Sequence, residues 1–99
     1  MPIYKTASFL VRAGSLDRCT EAVREFVTEM QQTERGTQLY VSLQDQVNPH
    51  RFLHVFVFED ERAESIHRDA PATKRFTEKL HPELVGEVKF GDYSLVATT

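Results

Sequence analysis

The segment RFLHVFVFE, residues 51–59, is the most strand-like part of the chain. It is rich in β-branched and aromatic residues and follows the turn signal VNPH at residues 47–50. Successive side chains of a strand point to opposite faces. One face of this segment carries Phe52, His54, Phe56 and Phe58. The other face carries Leu53, Val55 and Val57. Because both faces are apolar, the segment is predicted to be covered on both sides.

A second strand is predicted just before this turn. Residues 37–46, TQLYVSLQDQ, alternate in polarity, with Leu39, Val41 and Leu43 on one face. An Asn-Pro pair between the two segments favours turn initiation. The two strands are therefore expected to form an antiparallel hairpin.

The part of the chain before the hairpin predicts a strand and then a helix. Residues 3–12, IYKTASFLVR, predict a strand that ends at a turn. Residues 16–33 predict an amphipathic helix, with Ser15 as its N-cap and Gly36 near its end. The apolar stripe of this helix consists of Leu16, Cys19, Ala22, Val23, Phe26, Val27 and Met30.

The part of the chain after the hairpin predicts two helical pieces and a last strand. The first piece spans residues 61–69 and ends before Pro71, because a residue that precedes proline disfavours the helical conformation. The second piece spans residues 72–81, and the last strand spans residues 85–97.

The element order is therefore β-α-β-β-α-β, with the second helix split at Pro71. This order is typical of an α+β, ferredoxin-like fold, in which one antiparallel sheet carries its helices on one face. A chain of 99 residues is expected to form one domain, residues 1–99.

The aliphatic face of residues 51–59 predicts a homodimer. A small single domain has no second layer to cover Leu53, Val55 and Val57, and a continuous exposed apolar patch marks an interface. A second copy of the chain, packed sheet to sheet about a two-fold axis, would cover them.

Composition excludes several classes of partner. The net charge is −3 and the longest basic run is Lys74-Arg75, so neither nucleic acid nor an anionic membrane surface is expected to bind. No apolar run reaches the roughly 18 residues of a membrane span, and the N-terminus does not read as a secretory signal. The lone cysteine, Cys19, fits a reducing compartment and a buried position. A cytoplasmic protein is expected.

His67 is the strongest catalytic candidate. It flanks the apolar positions Ala63, Ile66 and Ala70 of its helix, and a histidine beside a cleft can transfer protons near neutral pH. The alternative is a structural histidine at the boundary between sheet and helix.

Other residues are candidates for contacting a small-molecule substrate. His54 shares a strand face with three phenylalanines and is placed to hydrogen-bond a substrate carbonyl, although a buried histidine is more often satisfied by the protein itself. The remaining substrate-binding candidates are Tyr40, Ser8, Phe52, Phe56 and Phe76. His81 is expected to interact with the carbonyls at a helix end, and His50 to face solvent.

No metal or nucleotide motif is present in the sequence. The four histidines form no H-x-x-x-H or H-E-x-x-H pair, and there is no second cysteine. The glycine patterns of nucleotide sites and the G-x-S-x-G pattern of serine hydrolases are also missing. We therefore expect no metal and no cofactor.

The chain resembles the antibiotic biosynthesis monooxygenase (ABM) family of dimeric α+β barrel proteins. The resemblance is carried by ERGTQLY at residues 34–40, LQD at 43–45, RFLHVFVFEDERAESIH at 51–67, Ala70-Pro71 and Phe76. It implies cofactor-independent oxygenation of an aromatic or quinol-like substrate, with His67 beside the cavity.

The resemblance also implies alternatives. Haem-degrading relatives carry an asparagine on the first strand and a tryptophan on the second helix, whereas this chain has Ser8 near the first position and no tryptophan. Other relatives isomerise a phosphorylated dione, for which Arg51, Arg68 and Lys74 would be the phosphate partners. A third alternative is a ligand-binding dimer without catalysis.

Overall fold

A computed structural model describes all residues, Met1–Thr99, and confirms the α+β, ferredoxin-like fold. One antiparallel sheet of four strands has the order β2-β3-β1-β4. The elements are β1 (Ile3–Leu10), α1 (Leu16–Thr33), β2 (Thr37–Gln44), β3 (Arg51–Phe58), α2 (Glu61–Asp69), α3 (Pro71–Leu80), a short 3-10 helix (His81–Glu83) and β4 (Lys89–Tyr93).

The predicted hairpin is present, and β3 pairs with a strand on each side. It runs antiparallel to β2 along one edge and to β1 along the other. Its aromatic face packs beneath the helices, where Phe52, His54, Phe56 and Phe58 are all buried. The core continues into α1 and α3, whose buried side chains include Cys19, Phe26, Met30, Phe76 and Leu80.

The opposite face of the sheet is open. No helix covers it, and Leu39, Val41, Leu43 and Leu53 are exposed there. Val57 is buried on this face, where it lies between Leu39 and Tyr4 in the strand register. The alternation predicted for β3 is therefore present, with one face in the core and an aliphatic face directed outward.

The bounds of α1 are those predicted, residues 16–33, but the contacts that cap its two ends differ from the prediction. The Ser15 hydroxyl does not cap the helix but donates a hydrogen bond to Glu83 Oε1 at 2.8 Å, and Arg18 contacts the same carboxylate. The helix ends at Thr33, with Glu34 as an extended C-cap, before Gly36 is reached. Gly36 has no positive φ angle, so it does not act as a helix-ending glycine.

The break between α2 and α3 occurs where proline predicts it. Ala70 is extended and Pro71 is the first residue of α3. The Asp60 side chain caps α2 by accepting from the Ala63 N–H at 2.9 Å. At the other end, the Thr73 hydroxyl donates to the His67 carbonyl at 2.5 Å and joins the two helices.

The inward face of α2 was predicted only in part. Ala63 is buried as expected, but Ile66, also expected on the apolar side, is 52% exposed. His67 shares the inward side with Ala63, because residues four apart lie on one side of a helix.

The last strand is shorter than the predicted residues 85–97. It covers only Lys89–Tyr93, and its final pair joins Tyr93 to Tyr4. The partner strand β1 extends only one residue further, to Ile3, and Pro2 before it has no N–H to donate to a longer ladder. Leu95 and Val96 therefore lie outside the sheet and are exposed.

No helix in the structure is both long and apolar enough to cross a membrane.

A close approach between Gly36 and Ala63 sets the position of α2. A Cβ atom at residue 36 would lie 2.5 Å from the Ala63 Cβ and 3.4 Å from its Cα. Only glycine leaves room for the helix at this distance. The same segment is held to the end of β3, because the Glu59 N–H donates to the Gly36 carbonyl at 2.8 Å.

We predict that Gly36→Ala lowers the free energy of unfolding by about 1–3 kcal/mol, because α2 must move away from the added methyl group. Urea denaturation at constant pH measures this change. The Gly36→Ala/Ala63→Gly double variant restores the space, so it should be more stable than the sum of the two single effects. Simple additivity of the two changes would contradict this account of the contact.

Candidate active site

A largely apolar cavity of about 430 Å³ lies between the inward face of the sheet and the helices. Ten of its 16 lining residues are hydrophobic, so the walls favour an apolar ligand. The lining residues with a titratable group are Tyr40, His54, His67, His81 and Glu87.

His67 forms one wall of this cavity and is paired with a carboxylate. Its Nδ1 lies 2.8 Å from Glu34 Oε1, although the two residues are 33 positions apart in the chain. The Thr37 hydroxyl donates to the same oxygen at 2.9 Å. With Nδ1 engaged by Glu34, Nε2 is the ring nitrogen that remains to meet a ligand.

Glu34 was not identified as a site residue from the sequence. It follows α1 as the C-cap and is only 8% exposed, and its Oε2 is buried without a hydrogen-bond partner. A buried carboxylate with a free oxygen is uncommon, because such groups normally find partners. The only sequence signal was the glutamate of ERGTQLY, placed three residues before Thr37.

Aromatic rings surround the His67 imidazole. The ring centroids of Phe58, Phe26 and Tyr40 lie 5.0, 5.7 and 5.8 Å from that of His67. Phe26 in turn stacks on Phe76 at 4.4 Å, which extends the apolar wall along α3. This environment lowers the local dielectric constant and strengthens the interaction between His67 and Glu34.

A second histidine, His54, lies deeper in the cavity and is paired with Tyr40. The Tyr40 hydroxyl oxygen lies 2.6 Å from His54 Nδ1. His54 is 1% exposed, and its Nε2 is buried without a hydrogen-bond partner. His54 is one of the residues that line the cavity, and a polar ligand atom that reached Nε2 would satisfy this nitrogen.

Burial keeps both members of this second pair neutral. Removal from water lowers the pKa of His54 to about 4, so the imidazole is uncharged at neutral pH. Burial, and then the nearby Glu34 carboxylate, raise the pKa of Tyr40 well above its usual value, so its O–H is retained.

The structure brings together five of the seven predicted site residues. The cavity is lined by His67, His54, Tyr40, Phe56 and Phe76.

The other two predicted residues lie elsewhere. Ser8 pairs with Leu53, so it points to the open face of the sheet. Phe52 is buried in the core, where it stacks on Phe9 at 5.2 Å and does not line the cavity. His81, expected only at a helix end, does line the cavity.

The cavity wall has no cationic side chain of lysine or arginine. Arg51, Arg68 and Lys74, the predicted phosphate partners, are all absent from the lining. Arg68 instead contacts Glu64 on the outer side of α2. The residues needed to bind a phosphate group are therefore not assembled here, and no cluster of three or more His, Cys, Asp or Glu side chains is placed to hold a metal ion.

Comparison with known proteins places this chain in a family. The sequence model of antibiotic biosynthesis monooxygenase matches residues 2–79. The chain belongs to the antibiotic biosynthesis monooxygenase family. No curated protein matches its sequence.

Solved structures share the fold of this ABM protein. A candidate antibiotic biosynthesis monooxygenase from Nitrosomonas europaea has a TM-score of 0.90 at 15% identity, with 99% of this chain and 93% of that chain covered. The protein Rv0793 from Mycobacterium tuberculosis has a TM-score of 0.89 at 14% identity, over 99% and 98%. PA3566 from Pseudomonas aeruginosa has a TM-score of 0.87 at 22% identity, over 97% and 95%. At these identities the likeness shows the fold alone.

The low pKa of His54 predicts a loss of stability in mild acid. In the unfolded chain His54 binds a proton near pH 6.5, whereas in the folded protein it binds one only near pH 4. Stability is thus fully present above pH 6.5 and is lost as the pH falls towards 4, by about 3 kcal/mol for this group.

Urea denaturation across this pH range measures the loss of unfolding free energy. The His54→Gln variant has no titratable group at this position, so comparison with it separates the contribution of His54 from that of the carboxylates. The slope of stability against pH should be shallower in the variant. An identical slope in both proteins would rule out His54 as the source.

Proposed function

We propose that this ABM protein is a monooxygenase that oxidises a small aromatic or quinol-like substrate in the cavity without a metal, flavin or haem. The observation that carries the proposal is the His67–Glu34 pair in the wall of an apolar cavity, because a histidine held by a carboxylate is suited to accept a proton. The family assignment supports the same reaction class.

The chemistry requires the substrate to supply its own electrons. Loss of a proton from a phenolic hydroxyl gives an electron-rich anion that reduces O₂. In the oxidation of a phenol to a quinone, one oxygen atom enters the ring and the other leaves as water. The substrate loses two hydrogen atoms to this water, so no further reductant is needed.

The side chains have separate tasks in this reaction. His67 accepts the substrate proton at Nε2, and the Glu34 carboxylate stabilises the positive charge that then forms on the imidazole. The aromatic walls exclude water from the anion, and neutral His54 and Tyr40 orient it by hydrogen bonding. These roles use the five predicted residues that line the cavity, together with Glu34.

The geometry favours this proposal over the two alternatives. An isomerase that acts on a phosphorylated dione needs cations at the phosphate, and none of the lysines or arginines lines the cavity. A ligand-binding dimer without catalysis would also need the cavity, but it has no use for a histidine paired with a buried carboxylate, as His67 is with Glu34.

We predict that His67→Ala reduces substrate-dependent O₂ uptake by at least about 100-fold, because the general base is removed. An oxygen electrode with a panel of phenols and hydroquinones provides the measurement. His50→Ala, which changes a histidine of the turn between β2 and β3 away from the cavity, is the matched control, and circular dichroism confirms folding of both. Equal turnover by His67→Ala and the unaltered protein would refute the assignment.

The open face of the sheet leads us to propose that the protein is a homodimer. Leu39, Val41, Leu43 and Leu53 form a contiguous aliphatic surface across β2 and β3. In the strand register Val41 lies opposite Val55, and Leu43 lies opposite Leu53. A second copy of the same surface is matched in shape and chemistry for sheet-to-sheet packing into an α+β barrel.

Light scattering after size exclusion should give twice the 11.4 kDa mass of one chain. Val41→Glu places a charge in the aliphatic surface and should shift the protein towards the monomer. Ile66→Glu, on the outer side of α2, adds the same charge elsewhere and should leave the mass unchanged. A monomeric unaltered protein at micromolar concentration would exclude the dimer.

A further inference from the structure

The two histidines of the cavity are held by different partners, and this difference fixes their hydrogens. A neutral imidazole carries one N–H and one bare nitrogen, and the partner of one nitrogen decides the state of the other. His67 is held by a carboxylate and His54 by a phenol. The consequences for the two Nε2 atoms are opposite.

Glu34 makes Nε2 of His67 the bare nitrogen. An ionised carboxylate only accepts hydrogen bonds, and Oε1 already accepts one from the Thr37 hydroxyl. The hydrogen between His67 and Glu34 therefore belongs to Nδ1 of the imidazole. Nε2 is left with a lone pair beside the cavity, as a proton acceptor requires.

Tyr40 makes Nε2 of His54 the protonated nitrogen. If Nδ1 donated to the Tyr40 oxygen, both the tyrosine O–H and the bare Nε2 would lack partners in a buried site. If the Tyr40 hydroxyl donates to Nδ1, only the N–H at Nε2 lacks one. The second arrangement leaves fewer buried polar groups unsatisfied, and each such group is costly.

We propose that Tyr40 and Glu34 are positioning residues that hold His54 and His67 in opposite tautomers, so that one cavity presents a fixed hydrogen-bond donor and a fixed proton acceptor. The donor is Nε2–H of His54, and it suits a carbonyl or phenolate oxygen. The acceptor is Nε2 of His67, and it suits a hydroxyl. The inference rests on the proposed function only in taking this cavity as the reaction site.

Nitrogen NMR at about pH 8, above the ordinary histidine pKa, tests the assignment directly. Two-bond ¹H–¹⁵N correlations distinguish a protonated ring nitrogen from a bare one. In the unaltered protein, His54 should be protonated at Nε2 and His67 at Nδ1. Protonation of His54 at Nδ1, or of His67 at Nε2, would overturn the proposal.

Variants separate the two positioning roles. Tyr40→Phe should release the tautomer of His54 and leave that of His67 unchanged, and Glu34→Met should do the reverse. Two control variants repeat these substitutions away from the cavity. Tyr93→Phe matches Tyr40→Phe on the open face of the sheet, and Glu29→Met matches Glu34→Met on the surface of α1. Both controls should leave the two signatures as they are, and a tautomer change in either control would overturn the specific roles.

Binding of two probes of similar size gives a second readout that needs no turnover. 1-Tetralone offers only a carbonyl, and its affinity should fall about tenfold in Tyr40→Phe but not in Glu34→Met. 1-Naphthol offers a hydroxyl and should lose more affinity in Glu34→Met. Equal losses of affinity for both probes in both variants would show that Tyr40 and Glu34 have only structural roles, and this would overturn the proposal. Because neither readout involves O₂, these results stand apart from the failure or success of the monooxygenase proposal.

Discussion

The pairing of β3 with both β1 and β2 is the constraint on which the rest of the molecule depends. It holds the strand at the centre of the sheet and forces its side chains to alternate between two faces. One face supplies Phe56, Phe58 and His54 to the space beneath the helices. A slip of one residue would carry all of them to the opposite face and leave the cavity without its floor.

The chemistry of the cavity arises where three separate parts of the chain meet over this floor. Glu34 comes from the end of α1, Tyr40 from β2 and His67 from α2. The contact between Gly36 and Ala63 brings α2 close enough for His67 to reach Glu34, one helical turn beyond Ala63. The absence of a side chain at residue 36 is thus a condition for the position of His67 in the site.

The sequence predicted the parts of the fold and of the site that depend on local periodicity. The alternation in residues 51–59 correctly predicted that His54 and Phe56 lie on the face beneath the helices. The proline at position 71 correctly marked the break before α3, the helix that carries Phe76 to the cavity. Contacts between distant segments could not be predicted in this way, because no periodic pattern of residues indicates them. Glu34 lies at a helix end, outside any periodic stripe, and its role depends on a partner 33 residues away.

Short elements were also ambiguous for a physical reason. The nine residues of α2 have apolar positions compatible with more than one inward face, and the space beside Gly36 selects the face that carries Ala63. The extent of β4 depends on its pairing with β1, which ends at Tyr4, and the residues of β4 do not encode this pairing. Ser8 was assigned to the wrong face of β1, because polar and apolar residues do not alternate clearly along this strand and so do not show which side chains point inward.

The scarcity of buried side chains on α2 has a consequence for the order in which parts of the protein unfold. Ala63 is the only fully buried residue of this helix, so His67 is itself one of the few groups that hold the helix in place. Regions with few buried contacts open at lower free-energy cost than the sheet does. Partial detachment of α2 would separate His67 from Glu34 and remove part of the cavity wall together. On heating, the cavity is therefore expected to open before the sheet melts.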